Sequence, residues 1–172
     1  KDFEAVSQAL RKVKSALKNK SKKVAIAVSG SNVLSKVVFM QQGQTDYELE
    51  SQIELEADSL IPYPLDEVYI DFEELGPSET HNNKVNVLLS AAHKDIIDSR
   101  ITLLGEVGYE AKVVDVETHS LASALVHFYP ADTEETLCCI NIGASHLQIC
   151  TLKDNEVTYT KEHNFGIDSL LQ

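Results

Sequence analysis

The stretch "LEADSLIPYPLDEVYIDFEEL", residues 55–75, sets the layout of the chain. It begins in a helical pattern, passes Pro62 and Pro64, and ends in clean apolar–polar alternation. Proline cannot continue a helix and drives the residue before it into extended geometry, so the helix must stop near Ser59 or Leu60. Upstream of that stop, Thr45 followed by Glu48 reads as a capping box. Leu49, Ile53, Ala57 and Leu60 recur at helical spacing and face a core, leaving Glu and Asp to water. Downstream, "EVYIDFEEL" (67–75) sets Val68, Ile70 and Phe72 on one face and Tyr69, Asp71 and Glu73 on the other. Ile61 and Tyr63, at the joint, read as exposed apolar groups.

The pattern extends in both directions. Residues 2–18 form a helix whose apolar stripe is Phe3, Val6, Leu10, Val13 and Leu17. The basic run "RKVKSALKNKSKK" (11–23) fits its solvated polar side. "KVAIAVSG" (23–30) is expected as a strand buried on both faces, and "VLSKVVFM" (33–40) as a second strand. "VNVLLSAAH" (85–93) is a strand antiparallel to 67–75. A helix over "DIIDSRITLLGEVGY" turns Ile96, Ile97, Ile101 and Leu104 inward, with Gly105 or Gly108 closing it. A strand (110–117) and a helix (120–129, ended by Pro130) follow. Residues 136–168 then read as three strands, with tight turns at Gly143–Ala144–Ser145 and at Asp154–Asn155. Such interleaving predicts α/β or α+β layers. The closing meander starts a second unit, with a boundary within 118–134.

Composition narrows the function. The 172 residues are 43% hydrophobic and 24% charged, enough for one domain or two small ones. A net charge of −12 argues against nucleic acid as the main partner. No apolar run approaches the roughly 20 residues a membrane span needs. The three cysteines, an odd count without framework spacing, fit a reducing compartment. Cys138 and Cys139 are adjacent and so face opposite sides of a strand. None of the six histidines pairs at metal-ligand helix spacing. There is no nucleophile elbow, Walker A loop or Gly-x-Gly-x-x-Gly. The many carboxylates follow the polar faces of a helix and a strand and read as solvated surface. The segment nearest to chemistry is "INIGASHLQICTL" (140–152): glycine at a hairpin tip lets backbone N–H groups approach a phosphate, and Ser145 adds a hydroxyl. A plain turn is the other reading, as it is for "VSGSN" (28–32).

Five stretches together resemble the PilM family of type IV pilus assembly proteins. They are "VAIAVSGSNVLSKVVFM", "ELESQIELEADSLIPYPLDEVYIDFEELGPS", "KVNVLLSAAHKDIIDSR", "GYEAKVVDVETHSLASAL" and "INIGASHLQICTLKDNEVTYTKEHNFG". They fall in the family's order; "IELEADSLIPYPLDEV" is the most specific. A broader relative is the cell-division protein FtsA. The resemblance implies an α/β, partial actin-like fold with an inserted small α/β subdomain. Residues 1–33 and 108–120 would be part of a first lobe, 34–107 the insert, and 121–172 the start of a second lobe. The phosphate loop would be Asn141, Gly143, Ala144, Ser145 and His146. Asn141 stands where the family has Asp, and an amide is a poorer partner for Mg²⁺ than a carboxylate, which argues against hydrolysis. The family's other phosphate loop and its adenosine-contacting part have no counterpart here, so the resemblance implies a fragment. ATP or ADP with Mg would belong to the full-length protein. The implied function is a cytoplasmic adaptor, peripheral to the inner membrane, that binds the cytoplasmic tail of PilN. Its groove would involve Ser29, Gly30, Leu34, Ile61 and Tyr63. An FtsA-like filament-forming ATPase and a nucleotide-free interaction module stay open as alternatives, as does self-association through exposed sheet edges.

Overall fold

A computed structural model describes residues 2–18, 20–29, 33–129, 136–154 and 156–171. In chain order the elements are α1 (Phe3–Ala16), β1 (Lys23–Val28), β2 (Val33–Gln41), α2 (Asp46–Leu60), β3 (Val68–Pro77) and β4 (Lys84–His93). Then come α3 (Lys94–Glu106), β5 (Glu110–Val116), α4 (Glu117–Phe128), β6 (Thr136–Ile142), β7 (Leu147–Lys153), β8 (Glu156–His163) and the short α5 (Ile167–Leu170). Two compact units result, Lys1–Val114 and Asp115–Gln172.

The first unit is organised by α2. Thr45 caps it: the Thr45 hydroxyl accepts from the Glu48 backbone, and the Glu48 carboxylate accepts from the Thr45 N–H at 2.8 Å. A single 3-10 turn, Leu65–Glu67, links its end to β3. One face of the helix buries Leu49, Ile53 and Ala57, and Leu60 packs at the margin of the same cluster. That face closes over an antiparallel sheet ordered β2-β4-β3. Central strand β4 alternates from Lys84 to Ala91, and Val85, Val87, Leu89 and Ala91 form the sheet's side of the core. Each large apolar side chain removed from water there contributes about 1.5–3 kcal/mol.

Several expectations change. Ile61 is not exposed: at 3% accessibility it is a core residue, because the chain leaving α2 turns back over the sheet. Tyr63 is half-buried and its ring lies 4.6 Å from the His93 ring. Strand β1 is not buried on both faces. It pairs with β5 alone among the described residues, and only Val28 is buried. Ile101 of α3 faces outward, 42% exposed.

The basic side of α1 is more than a solvated face. Lys14 Nζ donates to the carbonyls of Val107 (2.6 Å) and Gly108 (3.1 Å), and lies 4.8 Å from the centre of the Tyr109 ring. Arg11 reaches the Glu106 carbonyl at 3.5 Å. The carbonyls at the end of α3 are thus met by cations from α1, which suits the negative end of a helix dipole. Gly108, at φ +77, takes the left-handed position there. The stripe residues Phe3, Val6, Val13 and Leu17 remain exposed. No helix among the described residues is long and apolar enough to cross a membrane.

The second unit is the antiparallel meander β6-β7-β8 with α4 against it. Ala122 of α4 packs with Cys150 and Leu152 of β7, and with Leu137, Cys139 and Val157 around them.

Leu89→Ala is expected to cost about 2–5 kcal/mol in urea unfolding, and Thr45→Ala about 1 kcal/mol. The Glu48 carboxyl is held below the usual carboxylate range by the Thr45 backbone N–H and then by its hydroxyl. A lowered folded value stabilises above the ordinary Glu range, and the effect is lost as pH falls through the folded value. The stability gap between wild type and Glu48→Gln should therefore narrow on acidification from neutral pH, as read by thermal melts.

Candidate functional site

The hairpin between β6 and β7 turns on Gly143, whose N–H donates to the His146 carbonyl at 2.9 Å. That N–H is used by the turn itself, while Ala144, Ser145 and His146 form an exposed tip. The tip is gripped from behind: Ile167 N donates to the Gly143 carbonyl (3.0 Å) and Asp168 N to the Ala144 carbonyl (2.9 Å). Gly166 is buried against this turn, and a Cβ there would run into the Ala144 backbone and lie 2.6 Å from Ser145 N. Ser145 Oγ lies 2.8 Å from His146 Nδ1.

Below the tip sits a buried amide. Gln148 of β7 is 4% exposed. Its Nε2 donates to Glu117 Oε2 (3.1 Å), in the first turn of α4, and to Glu162 Oε2 (3.2 Å), on β8. Its Oε1 accepts from Asn141 Nδ2 at 3.0 Å. His146 Nε2 stands 4.0 Å from Glu162 Oε1. One amide thus ties β6, β7, β8 and α4 together and gives two carboxylates a shared donor. Asp115 anchors the start of the same helix, accepting from Val116 N (2.7 Å) and Ser120 Oγ (2.6 Å). Gln148, Glu117 and Glu162 were not singled out by sequence. The available signal was strand phase: Gln148 shares its side of β7 with Cys150 and Leu152, a polar residue in an apolar row.

In the first unit, Leu34, Ile61 and Tyr63 come together at the α2-side core. Ser29 follows β1 and is not joined to that cluster, and Gly30 lies outside the described residues. Val38 and Met40 face α2, so their neighbours in β2 face the other way. On that open side the register aligns Val37 with Leu88 and Glu73, and Ser35 with Ser90 and Asp71. Phe39 continues the row, its ring 4.0 Å from the His81 ring. Val37 and Phe39 are 40% and 42% exposed. The open face is therefore apolar along β2 and acidic along β3.

Gln148→Leu would leave Asn141 Nδ2 without its acceptor and two carboxylates without their shared donor. The expected loss is about 1–3 kcal/mol in urea unfolding. Gly166→Ala should be similarly destabilising, because backbone rather than a movable side chain occupies the space a Cβ needs.

Comparison with known proteins fits this architecture. The family model described as "Type IV pilus assembly protein PilM" matches residues 1–172. The solved structure of a PilM–PilN type IV pilus biogenesis complex overlays at TM-score 0.78 and 20% identity, over 94% of this chain and 48% of that one. The cytoplasmic domain of EpsL, an inner membrane component of the type II secretion system of Vibrio cholerae, overlays at TM-score 0.59 and 14% identity, over 92% and 56%. The chain thus spans about half the length of the solved structures it matches. With a family model matched along its whole length and α/β layers in the expected order, the chain belongs to the PilM family of type IV pilus assembly proteins.

Proposed function

We propose that this chain acts as an adaptor in type IV pilus assembly, binding the cytoplasmic N-terminal tail of PilN at the cytoplasmic face of the inner membrane. The observation that carries this reading is the open face of the β2-β4-β3 sheet, with Val37, Phe39 and Leu88 beside Asp71 and Glu73. An extended segment with apolar side chains next to Lys or Arg would meet both chemistries there. Among the described residues strand β2 is also an edge strand, so a tail can add main-chain hydrogen bonds. The same edge is where a second copy of the chain would pair. A net charge of −12 favours encounter with a basic tail. Family membership and the fold shared with the PilM–PilN structure support the same partner. In this reading Leu34, Ile61 and Tyr63 hold the sheet from its α2 side, and Ser29 and Gly30 border it in sequence.

Nucleotide, in the same reading, is a property of the complete protein, with the tip 144–146 as one of two phosphate loops. The residues of this hairpin do not fit a magnesium site. Asn141 is a neutral amide whose NH₂ is bonded to Gln148, and the nearby carboxylates of Glu117 and Glu162 are bonded to that same Gln148. No group of three or more His, Cys, Asp or Glu side chains among the described residues is arranged to hold a metal.

Fluorescence anisotropy with a labelled synthetic PilN tail tests the reading. Saturable binding is expected, weakened about tenfold by Phe39→Ala and made less salt-sensitive by Glu73→Lys. Absence of saturable binding, or affinity indifferent to both substitutions, would overturn it.

A further inference from the structure

Cys139 and Cys150 are direct cross-strand partners in the β6–β7 ladder. They lie on the same side of the sheet, in the cluster beneath Ala122 of α4. Directly opposed residues in an antiparallel pair have Cα atoms about 4.5–5.5 Å apart, inside the range a disulfide spans. Cys138 is the neighbour in sequence, but it faces the other side, opposite Thr151, and is exposed. The chain therefore holds one pre-aligned dithiol and one outward thiol, all three free in this structure.

We propose that Cys139 and Cys150 are a redox modification site, closing to a cross-strand disulfide under a peroxide oxidant. Of this pair, Cys139, only partly buried, is the sulfur a peroxide reaches first. Its thiolate attacks one peroxide oxygen, the O–O bond breaks, and a sulfenic acid and water form. The Cys150 sulfur then attacks the Cys139 sulfur, the S–O bond breaks, and the Cys150 proton leaves with the hydroxyl as a second water. Two thiols lose two electrons in all, and hydrogen peroxide is reduced to two waters. The order follows from environment: Cys150 is 3% exposed, and burial first, then the neighbouring Cys139, pushes its thiol up to about 11. It waits as the protonated resolving partner. The bond would pin β6 to β7 two residues from the Asn141–Gln148 pair.

The test is thiol counting on the whole chain after hydrogen peroxide, with unfolding and alkylation, followed by chymotryptic mapping. Expected is alkylation of Cys138 alone in wild type and of no thiol in Cys138→Ser. Each chain should be lighter by the two lost hydrogens, about 2 Da, and dithiothreitol should restore all thiols. Because Cys138 is exposed, Cys138→Ser keeps the core intact and separates the two pairings. Retention of all three thiols would overturn the proposal. So would a bond that includes Cys138, whether within one chain or between two.

Discussion

Strand β4 carries hydrogen-bonding neighbours on both edges and the row Val85, Val87, Leu89 and Ala91 under α2. The first unit depends on that arrangement. Once α2 is stopped at Leu60 and returned by the two prolines, Ile61 drops into the same core and β3 is delivered to one edge of β4. Because α2 covers one side only, alternation leaves the other side to Val37, Phe39, Leu88, Asp71 and Glu73. The open face is thus a consequence of the packing that closes the opposite one.

A different constraint organises the second unit. Gln148 occupies a place in a buried row where an aliphatic residue would satisfy packing alone. It is tolerated because Asn141, Glu117 and Glu162 meet its polar atoms. A buried amide with good partners is costly to break and specific in its geometry. It fixes strand register next to the Gly143 turn, which Gly166 supports from behind. The exposed tip therefore stands on a hydrogen-bonded base.

Much of this was legible in sequence wherever local chemistry decided the outcome. The Thr45–Glu48 box, the stop before Pro62, the alternation through β3 and the three closing strands all depend on near neighbours in the chain. What could not be read depends on distant residues. Ile61 looked exposed because nothing local announces that the chain folds back onto the sheet. Strand β1 looked doubly buried because an apolar run does not reveal how many strands flank it. Lys14 belonged to a basic run until α3 supplied Val107 and Gly108 carbonyls for it. In the candidate site, the Gly143 turn was visible, whereas the Gln148 network joins residues from four elements and has no motif. Strand alternation alone puts the adjacent cysteines on opposite faces, but the partner opposite Cys139 follows only from the register.

These features give a PilM-family chain two differently built units: a sheet with one closed and one open face, and a hairpin held on a buried amide. The central claim is that the open face is the partner surface. Hydrogen–deuterium exchange with and without the PilN tail tests it most directly. The account predicts slowed exchange along β2, residues 33–41, and its neighbours on the open sheet. Slowing confined to the 143–146 turn, or no change at β2 in a saturated complex, would contradict it.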